Sequence, residues 1–154
     1  QVGRLVLESS ETELVAILLP TSGRSIIGQS HERPAVLSEA AIQLEEYFAR
    51  KRTDFQLPIR LGGTKFQQEV WARLLRIPYG ETRSYAELAR DLGRPKGYRA
   101  VGQANARNPI PIVVPCHRLV ASDGLGGYVG GLAMKQELLR IEGIEPWSLG
   151  STEF

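Results

Sequence analysis

The segment from residue 112 to residue 120 is Ile112-Val113-Val114-Pro115-Cys116-His117-Arg118-Leu119-Val120. Its apolar, β-prone start ends at a proline, which is followed by the only cysteine of the chain and then by a histidine and an arginine. One thiol forms no intramolecular disulfide and is a poor metal site alone. A lone cysteine is more often a small buried hydrophobe than a nucleophile, but basic neighbours favour the reactive thiolate. The segment therefore predicts a nucleophilic thiol at Cys116.

Length and composition indicate an ordinary globular chain. The 154 residues are 42% hydrophobic and 23% charged, which suits one domain or two small ones. No run approaches the roughly 18 apolar residues that a membrane span needs, and the first residues lack the pattern of a signal peptide. We therefore expect a soluble, cytoplasmic protein with no membrane partner, associated with the nucleoid if the source is prokaryotic.

Charge is unevenly distributed along the chain. From Lys65 to Arg118 there are ten basic and four acidic residues, whereas the remainder has nine basic and thirteen acidic residues. A solvated surface explains most such counts, but a local balance of +6 also favours a face that binds a polyanion such as nucleic acid.

The first part of the chain predicts a small α+β layer. Residues 5–7 and 14–19 are apolar, β-prone runs joined by a polar turn, which indicates a hairpin, and residues 24–27 are a candidate third strand. After Pro34, apolar residues recur with helical spacing at positions 37, 40, 41, 44, 47 and 48. One amphipathic helix should therefore cover the sheet.

A change of composition separates this layer from a second unit. Residues 51–63, with Pro58 and Gly62-Gly63, have the character of a linker. We therefore assign residues 1–62 to an N-terminal α/β domain with its linker and residues 63–154 to a second domain.

Helix signals dominate the second domain. Thr64-Lys65-Phe66-Gln67 has the pattern of a capping box and starts a helix. Ser84-Tyr85-Ala86-Glu87 starts another, which Gly93 stops, and residues 99–106 form a short helix after a basic turn. Two short helices across a tight turn are a helix-turn-helix candidate, although most such pairs only pack a core. The predicted fold class is α+β: a small antiparallel sheet with a covering helix, then a mostly helical, winged-helix-like domain.

The last of these short helices has small side chains along its surface. Ala100, Gly102, Ala104 and Ala106 alternate along it, and Arg99 stands at its start. A helix that contacts base edges in the major groove normally carries longer hydrogen-bonding side chains. We therefore expect this helix to bind DNA by shape and backbone contact.

Cys116 needs a base if its thiol is to react. Neighbouring side chains of an extended run point to opposite faces, so a water is the expected link between Cys116 and His117. His117 in turn needs a carboxylate that orients its other ring nitrogen. Glu142 is our candidate, because it ends a predicted helix, Leu132–Ile141, where the helix dipole disfavours a carboxylate. A solvated glutamate at small cost is the alternative.

A glycine-rich segment lies between the thiol and that helix. Residues 124–131 are Gly124-Leu125-Gly126-Gly127-Tyr128-Val129-Gly130-Gly131, too rich in glycine for regular structure. The segment is either a flexible surface loop or a place where a flat ligand lies beside an aromatic ring.

Several motifs occur in the order found in one known family. They are Ser84-Tyr85, Arg99-Ala100-Val101-Gly102, the segment from Asn105 to Val120, Gly127-Tyr128-Val129-Gly130-Gly131-Leu132 and Glu142-Gly143. From about residue 63 to residue 143 the chain resembles the O6-alkylguanine-DNA alkyltransferase family. The first sixty residues resemble the family's variable N-terminal sheet domain in layout alone.

The resemblance implies direct reversal of DNA damage. The alkyl group of O6-alkylguanine in duplex DNA would pass irreversibly to Cys116, once per molecule and without a cofactor; O4-alkylthymine is left open as a substrate. His117 would take the thiol proton through a water, and Glu142 would orient the imidazole. Asn108 would brace the turn that presents the thiol, and Tyr85 would donate a hydrogen bond or proton to the departing guanine.

The resemblance also implies a DNA face and a base pocket. Arg99 would fill the stack after the damaged nucleotide flips out, with the helix of residues 99–106 in the minor groove. Further DNA contacts would come from Ala100, Gly102, Ala104, Arg94 and Lys96. The wall of the base pocket would be formed by Tyr128, Val129, Gly130, Gly131 and Pro111. We expect a monomer, with side-by-side binding on DNA left open.

Two departures from the family pattern bear on these expectations. Several relatives carry a zinc site of cysteines and histidines in the N-terminal domain, but this chain has one cysteine and no cluster around His31, so we predict no metal. Val129 stands where some relatives have a serine, which leaves only the backbone amide there.

Other classes of function stay open at this point. A non-catalytic reader of alkylated DNA shares the fold, but such proteins replace the cysteine, so the intact Cys116 argues against that role. A thiol hydrolase would need turnover and an oxyanion hole, and a helix-turn-helix regulator would need no thiol.

Overall fold

The computed structural model describes residues 3–20 and 33–145. It begins with a hairpin of two antiparallel strands, β1 (Val6–Ser9) and β2 (Leu14–Leu18), in which Leu7 lies opposite Ile17. The predicted hairpin is confirmed. The candidate strand at residues 24–27 and the histidine at position 31 lie outside the described residues.

The covering helix of the hairpin is α1 (Ala35–Phe48). Its buried face carries Val36, Ala40, Gln43, Leu44 and Tyr47, which agrees with the helical spacing of the sequence. The polar side chain of Gln43 can be buried because its amide has partners. It accepts from the backbone N–H of Gln56 at 2.9 Å and donates to the Gln56 carbonyl at 3.1 Å.

The segment predicted as a linker is fastened to the hairpin. The backbone N–H of Leu14 donates to the Pro58 carbonyl at 2.8 Å, and the N–H of Arg60 donates to the Leu14 carbonyl at 2.9 Å. Residues 58–60 therefore extend the hydrogen bonding of the small sheet, because an unpaired strand edge offers free backbone groups to any extended neighbour.

Four further helices follow. They are α2 (Lys65–Leu74), α3 (Tyr85–Asp91), α4 (Tyr98–Ala106) and α5 (Leu132–Ile141). Thr64 and Ser84 form complete capping boxes at the starts of α2 and α3, as their sequence motifs predicted. The pair α3 and α4 forms the helix-turn-helix, and the α+β fold class is confirmed.

Two short strands position the cysteine segment, and the sequence did not reveal them. Strand β3 (Arg83–Ser84) pairs in parallel with β4 (Leu119–Val120). This pairing sets the residues just before β4 beside the start of α3. The expectation of an extended run before Cys116 is wrong, because residues 112–113 form a turn; residues Cys116–Arg118 then form one turn of 3₁₀ helix after Pro115.

One continuous core joins both halves of the chain. Leu14 and Tyr47 from the first half pack in the same cluster as Trp71, Ile112 and Leu138. The backbone N–H of Ile17 in β2 also donates to the carbonyl of Pro109 at 2.9 Å, so the hairpin touches the segment that leads to the cysteine. Among the described helices, none is both long enough and apolar enough to cross a membrane.

Candidate active site

The turn that presents Cys116 is held by two asparagines. Asn108 donates from Nδ2 to the Val114 carbonyl at 2.8 Å and accepts at Oδ1 from the N–H of Ile110 at 3.0 Å. Asn105, in the last turn of α4, donates to the carbonyl of Cys116 at 3.2 Å. The backbone on both sides of the thiol is therefore fixed by side-chain amides, with Asn108 at the place that the resemblance implied for it.

The thiol itself is buried. Cys116 is 1% exposed, and this burial raises the pKa of its thiol above the ordinary value, while Asn108 and the charge of Lys135 act in the opposite direction. The sequence led us to expect a thiolate favoured by basic neighbours. The structure differs because burial keeps the thiol protonated at neutral pH, while the adjacent Arg118 and His117 both bind a carboxylate.

That carboxylate is Glu142, directly after α5. His117 Nε2 lies 2.6 Å from Oε2, and Arg118 donates from Nε to Oε1 at 2.8 Å and from Nη2 to Oε2 at 3.1 Å. Tyr47 donates its hydroxyl to Oε2 at 2.6 Å, and the N–H of Gly80 donates to Oε1 at 3.2 Å. Glu142 is buried, so the solvated glutamate of the alternative interpretation is wrong.

The pKa values of Glu142 and His117 define the protonation state of this cluster. Burial alone would raise the pKa of Glu142, but the hydrogen bonds from His117 and Arg118, together with the positive charge beside the carboxylate, outweigh burial and lower that pKa to about 2. Burial lowers the pKa of His117, against the opposing effect of Glu142. The pair is therefore a carboxylate beside a neutral imidazole that donates from Nε2.

This tautomer leaves the other ring nitrogen of His117 unprotonated. Nδ1 is buried and has no hydrogen-bond partner among the described residues of the protein. An unprotonated imidazole nitrogen in a ring that a carboxylate holds on its far side is able to accept a proton.

Lys135 is a site residue that the sequence analysis missed. Its ammonium is fully buried and donates to the carbonyls of Leu119, Leu125 and Gly127 at 2.7, 2.5 and 3.1 Å. Burial lowers the pKa of Lys135 to about 8, while Cys116 acts to raise it. Its position three and four residues before the buried leucines 138 and 139 of α5 was the available signal, because that spacing places it on the apolar face.

Two of the carbonyls that Lys135 binds, those of Leu125 and Gly127, belong to the glycine-rich segment, which packs on Tyr85. Gly126 has φ +70°, and a Cβ there would meet the Tyr85 hydroxyl at 2.9 Å. Burial raises the pKa of Tyr85, and the nearby Cys116 adds to this, so the phenol is a protonated donor. Glycine is thus required where the loop passes over the ring.

The predicted pocket residues differ in burial, and Tyr128 is the one that the structure brings beside the thiol. The Tyr128 hydroxyl is buried beside Cys116, and burial raises the pKa of Tyr128 well above its ordinary value. Val129 is 39% exposed, Gly130 and Gly131 lead into α5, and Pro111 is buried inside the turn of residues 108–116. Tyr128 of the loop and Tyr85 therefore both lie near the sulfur of Cys116.

The predicted DNA-binding residues lie mostly on an open surface. Arg94, Lys96, Arg99 and Ala100 are exposed, and Gly102 is half-buried behind them. The predicted DNA contact of Ala104 is wrong. Ala104 is 3% exposed, and its carbonyl accepts a hydrogen bond from the Trp71 indole at 2.9 Å. Ala104 packs on α2 because it lies on the core side of α4, so its side chain cannot contact DNA.

No set of three or more histidine, cysteine or acidic side chains could hold a metal ion in the parts of the chain that the structure describes. His31 lies outside the described residues.

Fold and site together define a class of protein. A helix-turn-helix lies beside a buried thiol, an imidazole and a carboxylate, so thiol chemistry takes place next to a surface of the kind that binds nucleic acid.

Comparisons with known proteins narrow this class to a family. The 6-O-methylguanine DNA methyltransferase DNA binding domain matches residues 65–144, and the ribonuclease-like domain of the same family matches residues 1–61. The constitutive methylated-DNA--protein-cysteine methyltransferase of Bacillus subtilis is 44% identical over 150 residues, with 93% of this chain and 91% of the relative covered. A crystal structure of Mycobacterium tuberculosis OGT in complex with DNA matches with a TM-score of 0.83 at 42% identity, covering 97% of this chain and 92% of that one.

The chain belongs to the 6-O-methylguanine DNA methyltransferase family. It is therefore an enzyme of direct-reversal DNA repair, which transfers an alkyl group from DNA to a protein cysteine.

Proposed function

We propose that Cys116 is the alkyl acceptor and that duplex DNA containing O6-alkylguanine is its substrate. The observation that supports this most is the buried cluster of Cys116, His117 and Glu142 directly beside the glycine-rich loop and Tyr85. Cys116 is also the only cysteine in the chain.

The transfer is a displacement at the alkyl carbon. Cys116 Sγ forms a bond to that carbon while the bond from carbon to O6 breaks, and the bonding pair leaves with the guanine. Because burial raises the pKa of Cys116, the thiol proton must be removed during the reaction, and His117 Nδ1 takes it through a water. Glu142 holds the imidazole in the tautomer that has Nδ1 free.

The leaving group needs a donor on the opposite side. A guanine anion is a poor leaving group, and the Tyr85 phenol supplies a hydrogen bond or proton to it. Tyr85 suits this role because burial raises its pKa and keeps the hydroxyl protonated. Asn108 braces the turn so that Sγ faces the pocket, whose walls are Tyr128, Val129, Gly130, Gly131 and Pro111.

The exposed face of α4 is the proposed DNA surface. Arg94 and Lys96 neutralise phosphates, while Ala100 and Gly102 let the helix approach the minor groove closely. Arg99 fills the stack when the damaged nucleotide flips out, which costs little because an alkylated base pairs poorly. Mycobacterium tuberculosis OGT, similar in fold, was crystallised with DNA, which supports this surface.

We extend the proposal to organisation and location. The chain divides into an N-terminal domain, residues 1–62, and a domain of DNA binding and alkyl acceptance, residues 63–154. It acts as a monomer in the cytoplasm, where its substrate is, and side-by-side binding on DNA is left to experiment. O4-alkylthymine is a further substrate to assay.

Intact mass spectrometry tests the proposal. After incubation with duplex DNA that contains O6-methylguanine, the protein should gain the mass of one methyl group in one-to-one stoichiometry. Tight binding without a gain in mass would indicate a reader of damage. Repeated turnover on an ester or peptide, with no methylation, would indicate a thiol hydrolase.

A further inference from the structure

The Glu142 cluster contains one side chain from the first half of the chain. Tyr47, in the last turn of α1, is fully buried and donates its hydroxyl to Glu142 Oε2 at 2.6 Å, across 95 positions of sequence. This is the oxygen that also lies 2.6 Å from His117 Nε2. No step of the proposed reaction uses Tyr47.

The position of the Tyr47 ring is fixed by aromatic neighbours. Its ring centroid lies 5.4 Å from that of Phe48, 5.5 Å from that of Phe55 and 6.2 Å from that of Tyr79. Burial raises the pKa of Tyr47, and Glu142 raises it further, so the hydroxyl is a donor at every pH at which the protein works. The carboxylate therefore meets a rigid and permanent hydrogen bond.

The other donors to Glu142 would draw the carboxylate away from His117. Arg118 contacts both oxygens, and the N–H of Gly80 adds a bond to Oε1. Without the Tyr47 hydroxyl, Oε2 keeps only Arg118 Nη2 as a second donor, at the longer distance of 3.1 Å. A carboxylate that turns toward the guanidinium loses its alignment with the imidazole, because hydrogen bonds depend steeply on angle.

We propose that Tyr47 is a positioning residue for alkyl transfer, which holds Glu142 Oε2 on His117 Nε2. This inference rests on the proposed role of His117 as base. The region that precedes residue 63 then contributes one functional group to the centre in addition to its packing. The contribution acts through Glu142, since Tyr47 itself touches neither the thiol nor the base pocket.

A neighbouring tyrosine supplies a matched control. Tyr79 packs edge-on against Tyr47, but its hydroxyl donates to the backbone carbonyl of Ile141 at 2.9 Å and not to the carboxylate. Tyr47→Phe and Tyr79→Phe each delete one hydroxyl from the same aromatic cluster. The two variants therefore separate a general loss of packing or stability from the loss of the bond to Oε2.

The experiment measures the second-order rate of methyl transfer from duplex DNA across pH 6 to 9, together with Tm and DNA affinity. We expect Tyr47→Phe to slow transfer near pH 7 by roughly three- to tenfold, with a smaller loss at high pH where the thiol ionises without a base. Tyr79→Phe should lower Tm by about as much as Tyr47→Phe does, but its rate of methyl transfer should stay within about twofold of wild type. DNA affinity should be unchanged in both.

A spectroscopic readout reports on the same contact. In ¹⁵N-labelled protein, Tyr47→Phe should move the Nε2 proton and nitrogen resonances of His117, whereas Tyr79→Phe should leave them in place. A wild-type rate profile in Tyr47→Phe, or equal losses of rate in the two variants, would overturn the inference.

A different variant tests the proposed roles of His117 and Glu142 themselves. If Glu142→Gln transferred methyl groups at the wild-type rate, the relay from His117 to Glu142 would itself be wrong. If Glu142→Gln were slow and Tyr47→Phe normal, only the role of Tyr47 would be lost.

Discussion

The cluster around Glu142 and the exposed face of α4 differ in whether their polar groups already have partners. At Glu142, both oxygens accept hydrogen bonds from Tyr47, Gly80, His117 and Arg118 in a buried place. On α4, Arg99 is exposed, with its guanidinium 6.0 Å from the centre of the Tyr98 ring. The chemical centre is thus built in advance, as electrostatic catalysis requires, whereas the DNA face is completed by its ligand.

The difference has a consequence for variants. A change in the buried cluster should slow transfer from a free alkylated base as much as transfer from DNA, since both reactions use the same base and thiol. A change on the α4 face should affect only the reaction with duplex DNA. Variants in each of the two regions test this separation.

Cys116→Ser should abolish alkyl transfer and leave DNA affinity nearly unchanged. A hydroxyl is a far weaker nucleophile than a thiol near neutral pH, and the exposed basic face lies outside the altered position. Transfer of radiolabel from methylated duplex DNA and a binding titration on the same DNA measure the two properties. Loss of binding together with transfer would mean that the two regions are not separable.

Glu142→Gln should slow transfer by one or more orders of magnitude near neutral pH. The change keeps size but removes the charge that holds the His117 tautomer, and it leaves Arg118 without its counter-charge. Because burial raises the pKa of Cys116, the thiol is protonated at neutral pH and the base is needed most there. The loss should shrink as pH rises, where the thiol ionises without help.

Glu81→Gln is the matched control for Glu142→Gln. Glu81 is an exposed carboxylate that pairs with Arg83 on the surface, and its loss should leave the pH-rate profile as it is. An unchanged profile in a stably folded Glu142→Gln would show that the carboxylate is structural only.

Lys135→Met should slow the reaction with free O6-benzylguanine by about tenfold at pH 7. The ammonium lowers the pKa of Cys116 and binds three carbonyls in and next to the glycine-rich loop. The substitution therefore removes both the charge and the hydrogen bonds that hold the loop. The pKa of Lys135 is about 8, so wild type also loses this charge above that pH, and the two rates should converge there. Lys51→Met, at an exposed position, is the control and should react normally.

Arg99→Ala should slow repair of duplex DNA by roughly tenfold and leave the reaction with free O6-benzylguanine within about twofold of wild type. Arg99 is proposed to hold the flipped state, and a free base needs no flipping. Lys96→Ala, which removes a proposed phosphate contact, should weaken DNA binding uniformly and reduce the salt slope by about one. Equal losses for Arg99→Ala on both substrates would place this residue in the chemistry or the fold.

Local patterns predicted much of the fold. The capping boxes at Thr64 and Ser84 and the apolar spacing of α1 are interactions between residues three or four positions apart, which the sequence shows directly. The strands β3 and β4 have two residues each, too short to produce a periodic pattern, and the linker pairing with Leu14 depends on contacts across the fold. Neither could be predicted from local spacing.

Some residues of the site could likewise be predicted from local patterns and others could not. Glu142 was a candidate because a carboxylate at the end of a helix is locally unfavourable, and the structure places it against His117. Tyr47 was predicted only as an apolar position of α1, because nothing in the pattern of a helix shows what its hydroxyl meets 95 positions away. Ala104 was wrongly placed on the DNA face, because a run of small residues does not show which part of α4 packs against α2.

Peptide mass mapping shows directly whether the alkyl group ends on Cys116. Trypsin cleaves after Arg107 and Arg118, so residues 108–118 form one peptide that carries the thiol, together with His117 and Asn108. After reaction with duplex DNA that contains isotopically labelled O6-methylguanine, we expect one labelled methyl group in this peptide, with fragment ions that assign it to Cys116. A labelled methyl group on any other residue, or an unmodified peptide from protein that has repaired its DNA, would show that Cys116 is not the acceptor.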